Sequence, residues 1–386
     1  MLYLSTASLI KSFLRSFIFQ ENENINITSS KEKMGIKSLH QFLRKKCPEI
    51  YQTIHLSDLA YKKVAVDVSL FMFKYKAIAG DKWLHAFINL ILSLRRNNVH
   101  CYFVYDGPSP VEKIKEQQRR RDSKQKIQDR VDDLEKALVV YNKTGEILPI
   151  ILATLKRRKS PPKLKSLLRP KKGPDIDVEW LEAYIERIKG QVIHLTPEDI
   201  QVSKDLFDIL GVPYSTSLGE AETLCAHLSR DGYVYGALSE DTDLMACGSK
   251  VFLRKIDTRN DTCVVLKLED AMNALELTAQ EFQDFCIMCG TDYNSNLPRV
   301  GPAGAYKLIK KHGNLDEFPD SVDITSLNHI RVRELFSSYP TEMFDVPFCG
   351  QPTWKKVSGF LFENNCHGTY SAIQNVMKPT EVVFDD

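Results

Sequence analysis

Three short apolar runs in this chain end in acid: KVAVD at 63–67, CYFVYD at 101–106 and VYGALSED at 234–241. Short runs rich in β-branched and aromatic residues fit strands buried on both faces. In an open α/β sheet, ligands gather beyond the carboxyl ends of the strands. If the runs 63–67, 100–106 and 234–241 lie side by side and parallel, Asp67, Asp106 and Asp241 converge on one spot. Glu220 and Glu222 in LGEAET, Asp243 beside Asp241, and Asp292 in CGTD complete a set of seven carboxylates. Unpaired acids so close repel and raise one another's pKa. Divalent cations resolve that, and Mg²⁺ is the one that prefers oxygen ligands. Each acid alone has a plainer reading. Asp106-Gly107-Pro108 is a good turn, and Glu220 with Glu222 suits a helix entry, where the dipole favours negative charge. The whole set in this order is what points to metal.

The rest of the chain reads as a soluble α/β protein. No apolar stretch approaches a membrane span. The net charge is only +2 over 386 residues, but Lys and Arg crowd into 112–130 and 154–172, which suits a polyanionic substrate beside an acidic centre. Nine scattered cysteines suggest reduced, intracellular thiols, and Cys286 with Cys289 in EFQDFCIMCG reads as helix packing. Helices are expected over 38–51, 83–97, 111–141, 197–210 and 219–230, and strands over 63–67, 100–105, 212–214, 234–239 and 250–254. That alternation argues for a mostly parallel central sheet with helices on both faces. KSPPKLKSLLRPKKGP (159–174) has no periodicity and is expected to be an exposed, mobile connection. Its basic clusters equally suit a bipartite nuclear signal, a phosphate-binding arm or a solvated linker.

MGIKSLHQFL (34–43), VAVDVS (64–69), FVYDG (103–107), LGEAET (218–223), LSEDTDLMACG (238–248), CGTDY (289–293) and VGPAGAYKLIKKHG (300–313) stand in one order. In that order the chain resembles the flap endonuclease and xeroderma-pigmentosum-G superfamily of structure-specific 5′ nucleases, over about 34–130 and 197–365. The resemblance implies a PIN-like 5′ nuclease fold with a helical arch and a helix-two-turn-helix. It divides the chain into an extension at 1–33, an N-terminal nuclease region at 34–141 that includes the start of the arch, an inserted, basic and partly flexible segment at 142–190, an internal nuclease region at 191–292, and the helix-two-turn-helix with a C-terminal helical region at 293–386.

The resemblance also implies two Mg²⁺ ions, with Mn²⁺ as a substitute. Asp67, Asp106, Glu220 and Glu222 would lie around one ion and Asp241, Asp243 and Asp292 around the other, some of them bridging or acting through water. Lys113 and Arg120, seven and fourteen residues after Asp106, match a basic pair that grips the scissile phosphate, with Arg119 and Arg121 as competing neighbours. Phe73 matches an aromatic that stacks on a nucleobase, although FMFKY read by itself suggests core. Arg299, Gly301, Gly304, Lys307, Lys310 and Lys311 fall in the duplex-binding hairpin and helix, which in the family carries a K⁺ ion. Arg299 departs from the usual glycine and puts that K⁺ site in doubt. Gly35 would be the working N-terminus, packed close to bound DNA, so residues 1–33 would be absent from the active protein. A mitochondrial-type presequence is the other reading of that stretch.

The expected activity is Mg²⁺-dependent 5′-flap endonuclease with 5′→3′ exonuclease action in DNA replication, repair or recombination. The alternatives are an exonuclease or a bubble- or junction-cutting enzyme of the same family, a non-catalytic DNA-binding member, and action on RNA flaps. The expected partner is DNA with a 5′ flap or branch. No sliding-clamp box ends the chain at EVVFDD, and no heptad or repeat argues against a monomer. The nucleus is the expected location, with cytoplasm or mitochondrion as alternatives.

Overall fold

The computed structural model describes residues 35–36, 38–156, 176–337, 339 and 345–378. The expectations for 1–33 and for 159–174 lie outside the described residues. In chain order the elements are α1 (Leu39–Lys46), β1 (Gln52–His55), β2 (Lys63–Asp67), α2 (Val68–Ala79), α3 (Trp83–Arg96), β3 (His100–Tyr105), α4 (Ile114–Thr144), α5 (Pro149–Lys156), α6 (Val178–Lys189), α7 (Pro197–Leu210) and β4 (Tyr214–Thr216). Then follow α8 (Ala221–Arg230), β5 (Gly236–Leu238), α9 (Asp243–Ala246), β6 (Val251–Asp257), β7 (Thr262–Lys267), α10 (Leu268–Leu275), α11 (Ala279–Cys289), α12 (Pro302–His312), α13 (His329–Ser337), α14 (Trp354–Glu363) and α15 (Tyr370–Met377).

The strands form one sheet in the order β1-β7-β6-β5-β2-β3-β4. From β6 through β4 the pairing is parallel, and β7 and β1 are added antiparallel at one edge. Alternation along β2 explains why both faces are covered. Val64 and Val66 pack with Phe71, Phe87, Phe103 and Phe207 under α2, α3 and α7. Ala65 turns the other way, with Val104, Leu224 and Phe285 under α8 and α11. The central strands β2, β3 and β5 are therefore buried along nearly their whole length, and Cys286 and Cys289 are core residues, both buried.

Several boundaries differ from the sequence reading for local reasons. The first helix stops at Lys46 because Pro48 supplies no helical N–H. The strand expected at 212–214 begins only at Tyr214, after the Pro213 carbonyl has accepted from Phe103 N–H at 3.0 Å. Helix α2 starts directly at the end of β2 because the Asp67 carboxylate caps it, accepting from Leu70 N–H at 3.2 Å. Its apolar first turns hide the helical period. The hairpin β6–β7 turns through 258–261, and β7 was not anticipated.

The segment 142–190, expected as an inserted, basic and partly flexible stretch, contains helices among its described residues. Two helices, α5 and α6, pack there onto the long α4. Val131, Leu134, Ala137, Ile151, Leu181 and Ile185 form a third core separate from the two on the sheet. Among the described residues, no single helix is long and apolar enough to cross a membrane.

Candidate metal centre and nucleic-acid interface

The parallel register Asp67↔Val104 and Val66↔Leu238 sets the ends of β2, β3 and β5 side by side. Asp67 is buried there, and Ser239 Oγ lies 3.4 Å from its Oδ2. Burial, reinforced by the charge of Asp106, pushes the Asp67 carboxyl up to about 8. Asp106 leaves β3 through Gly107, where a Cβ would stand 2.1 Å from the Ser217 carbonyl oxygen. Ala221 N–H donates to Asp106 Oδ1 at 2.8 Å, which ties this loop to the start of α8. Glu220 and Glu222 flank that same helix start.

Asp241 sits in the turn after β5, and Asp243 opens α9. Asp241 N–H donates to Ser239 Oγ at 3.1 Å, and Asp243 N–H to Asp241 Oδ1 at 2.9 Å. Oxygens of Glu222, Asp241 and Asp243 all lie within 4.8 Å of one another. Both Asp243 oxygens are buried without a hydrogen-bond partner among the described residues. Burial followed by neighbouring charge raises Asp243 and Asp241, the latter to about 6 with Asp292 as the leading charge. Glu222 is also raised, by burial against the opposing pull of Lys113. Carboxylate oxygens facing one another, with those of Asp243 buried and without donors, are the oxygen set a hard cation takes. In this trio Glu222 lies beside Asp241 and Asp243.

Two cations enter from the base of α4. Lys113 Nζ is 2.5 Å from Glu220 Oε2, 3.4 Å from Asp292 Oδ2 and 3.9 Å from Glu222 Oε1. Burial alone would depress its pKa, but Glu222, Glu220 and Asp292 outweigh that and hold the ammonium above its ordinary range. Arg120, two turns further on, reaches Asp292 Oδ2 at 2.6 Å and Glu116 Oε1 at 2.9 Å. Arg119 pairs instead with Glu116 at 2.5 Å, so Arg120 is the arginine that faces the centre. Gly35 packs against the far side with φ +72°, and a Cβ there would lie 2.1 Å from Asp241 Oδ1. Ile36 N–H donates to Thr242 Oγ1 at 3.0 Å and fixes this approach.

The family models for the XPG N-terminal domain and the XPG I-region match residues 34–127 and 211–292. A chain of Invertebrate iridescent virus 3 that bears the name RAD2-like endonuclease is 34% identical over 328 residues, covering 78% of this chain and 85% of its own. The chain belongs to the XPG family of nucleases. Flap endonuclease 1 of Cryptosporidium muris is 26% identical over 337 residues, covering 79% of this chain and 62% of that protein. The catalytic core of Rad2 in complex with DNA substrate has the same fold, with a TM-score of 0.59 at 17% identity over 89% of this chain and 100% of that one. This XPG-family chain is thus a nuclease, a phosphodiester hydrolase with the PIN-like fold, and its acidic cluster is one that can hold metal.

The outlying candidates are more dispersed. Phe73 is 40% exposed on α2, with Lys124 Nζ 5.2 Å from its ring centroid. That corrects the core reading of FMFKY, whose Phe71 and Met72 are the residues that turn inward. Arg299 is exposed with φ +62°, so the hairpin keeps the left-handed backbone that glycine adopts freely. Gly301 caps α12 and Pro302 opens it, leaving the first N–H groups of that helix available to an anion. A Cβ at Gly304 would meet only Val300 Cγ1, at 3.5 Å, so no steric demand explains that glycine. Lys307 and Lys311 are exposed, while Lys310 is paired with Glu276 at 3.0 Å. Residues not singled out from sequence include Ser239, Thr242 and Tyr293. Each stands one or two positions from a carboxylate, which is the signal that could have found them.

Proposed function

We propose that this XPG-family nuclease is a Mg²⁺-dependent 5′-flap endonuclease of DNA with accompanying 5′→3′ exonuclease action. The observation that carries the reading is the convergence of the seven carboxylates with Lys113 and Arg120 at one end of the sheet. Glu222, Asp241 and Asp243 would hold one Mg²⁺ directly, and Asp67, Asp106, Glu220 and Asp292 would complete a two-ion site, with Mn²⁺ able to substitute. Ions held by these carboxylates would supply an acidified water and neutralise charge on the phosphate. The chain's own part is placement. Lys113 and Arg120 turn from their carboxylates to the scissile phosphate and stabilise its developing charge. Phe73 offers an exposed ring to an unpaired base, which reads structure rather than sequence. The start of α12, with Lys307 and Lys311, holds duplex phosphates without specifying bases; a K⁺ ion at this hairpin belongs to the same reading.

The ordered layer α5–α6 on the arch supports a second reading, cleavage of bubbles or junctions, because it reshapes the passage a free 5′ end would take. A 5′-end-labelled flap duplex, a bubble and a four-way junction are offered with Mg²⁺ to the wild type and to Asp241→Ala. A single cut near the flap junction, lost in the variant, is the expected result. Preferential bubble or junction cleavage moves the assignment to the second reading, and metal-independent cleavage refutes the metal centre.

A further inference from the structure

We infer that Tyr293 is a positioning residue of the metal centre, acting through Glu220 and Lys113. Its hydroxyl donates to Glu220 Oε2 at 2.7 Å, the same oxygen that Lys113 Nζ meets at 2.5 Å. Ser109 gives the same carboxylate a further hydrogen bond. The phenol is 8% exposed, and its ring sits edge-on to Phe336 with centroids 5.7 Å apart. Its backbone N–H donates to Thr291 Oγ1 at 3.1 Å, so backbone and ring are both fixed before the hydroxyl is aimed. Lys113 Nζ stands 5.9 Å from the ring centroid. Tyr293 follows Asp292 in sequence and reaches across to the residue that opens α8. One side chain thereby sets the spacing of two carboxylates brought by different segments, and bounds the space Lys113 can occupy.

Without the hydroxyl, Glu220 Oε2 would lose one of its two partners. A carboxylate that shares one oxygen between an ammonium and a phenol has its plane fixed. Without the phenol, Oε2 is held by Lys113 on a flexible four-carbon stem, and only Ser109 opposes the carboxylate following the lysine. Groups that orient a metal's ligands typically change metal affinity by about ten- to a hundredfold when removed. Tyr293→Phe deletes one oxygen and keeps the ring on Phe336 and beside Lys113, so packing is preserved.

This inference rests on the metal-dependent reading above, and its test has an arm that needs no cleavage. Full-length wild type and Tyr293→Phe are titrated with Mn²⁺ in the absence of DNA, with free Mn²⁺ read by electron paramagnetic resonance. Flap cleavage is then measured across a Mg²⁺ series. The inference expects about a tenfold rise in the Mn²⁺ dissociation constant and in half-activating Mg²⁺, most of the rate recovered at saturating metal, and cooperative melting retained. Equal Mn²⁺ affinity in the two proteins overturns it, as does a rate loss that no metal concentration recovers. If the wild type binds Mn²⁺ and cuts no flap, the flap reading fails while the Mn²⁺ comparison still decides the role of Tyr293.

Discussion

Asp67 shows how one acid can serve both fold and site. Its Oδ1 caps α2 and its charge is buried beside Asp106. Because burial raises its pKa to about 8, the folded protein holds this proton more tightly than the unfolded chain does. The stability so gained is complete below the ordinary carboxylate range and is lost as pH rises through the folded value. We expect the melting temperature of metal-free protein to fall between about pH 4 and about pH 8. Asp67→Asn flattens that fall, and a divalent cation opposes it; calorimetry over the pH series reads both. A metal-free melting temperature that does not fall over that span contradicts the assignment. At this scale the carboxylates were legible, because acids ending apolar runs have few other uses in such number. The demand on Gly35 was not, since the clash with Asp241 exists only once residues 206 positions apart are brought into contact.

Among the elements, the α4–α6 layer owes its order to an apolar stripe spread thinly through a charged sequence. Val131, Leu134 and Ala137 of α4 meet Ile151 of α5 and Leu181 and Ile185 of α6. A Lys189–Glu135 ion pair at 2.5 Å lies at the rim. Because this core is separate from those on the sheet, damage to it should stay local. Leu134→Ala removes a fully buried side chain and is expected to destabilise the layer by about 2–5 kcal/mol. Hydrogen exchange should then quicken in α4, α5 and α6 while β2 and β3 keep their protection; uniform loss of protection contradicts the separation. A helix over 111–141 was expected, whereas α5 and α6 were hidden because α5 has only 8 residues and a proline-rich basic stretch separates it from α6. The hairpin strand β7 was hidden for a different reason: its pairing with the distant β1 cannot be recognised from local pattern.

Across the whole molecule, the C-terminal helices brace the site from behind. Asp284 on α11 is fully buried and accepts from Arg333 Nε and Nη2 of α13 at 2.7 and 2.6 Å and from Leu315 N–H at 2.9 Å. Asp292 lies just beyond the end of α11, so this anchor also fixes the frame from which Asp292 reaches the centre. Removing one partner of a buried pair strands the other. Asp284→Ala is expected to lower stability by about 3–5 kcal/mol, read as a shifted urea midpoint with an unchanged slope. An unchanged midpoint refutes the role. Arg331 adds a second tie, pairing with Glu112 at 2.7 Å between α13 and the base of the arch.

The fold class, the three parallel strands that lead to acid and the candidate carboxylates were legible in the sequence by itself. These follow from short-range pattern: side-chain alternation, strand length and the acid that closes each run. Tertiary structure decided how those acids are apportioned, with Glu222 beside Asp241 and Asp243 and with Asp292 held by Arg120. It also decided which arginine faces them, that Phe73 lies at the surface and that Tyr293 meets Glu220. Those are distances between residues far apart in the chain, set by strand register and helix packing.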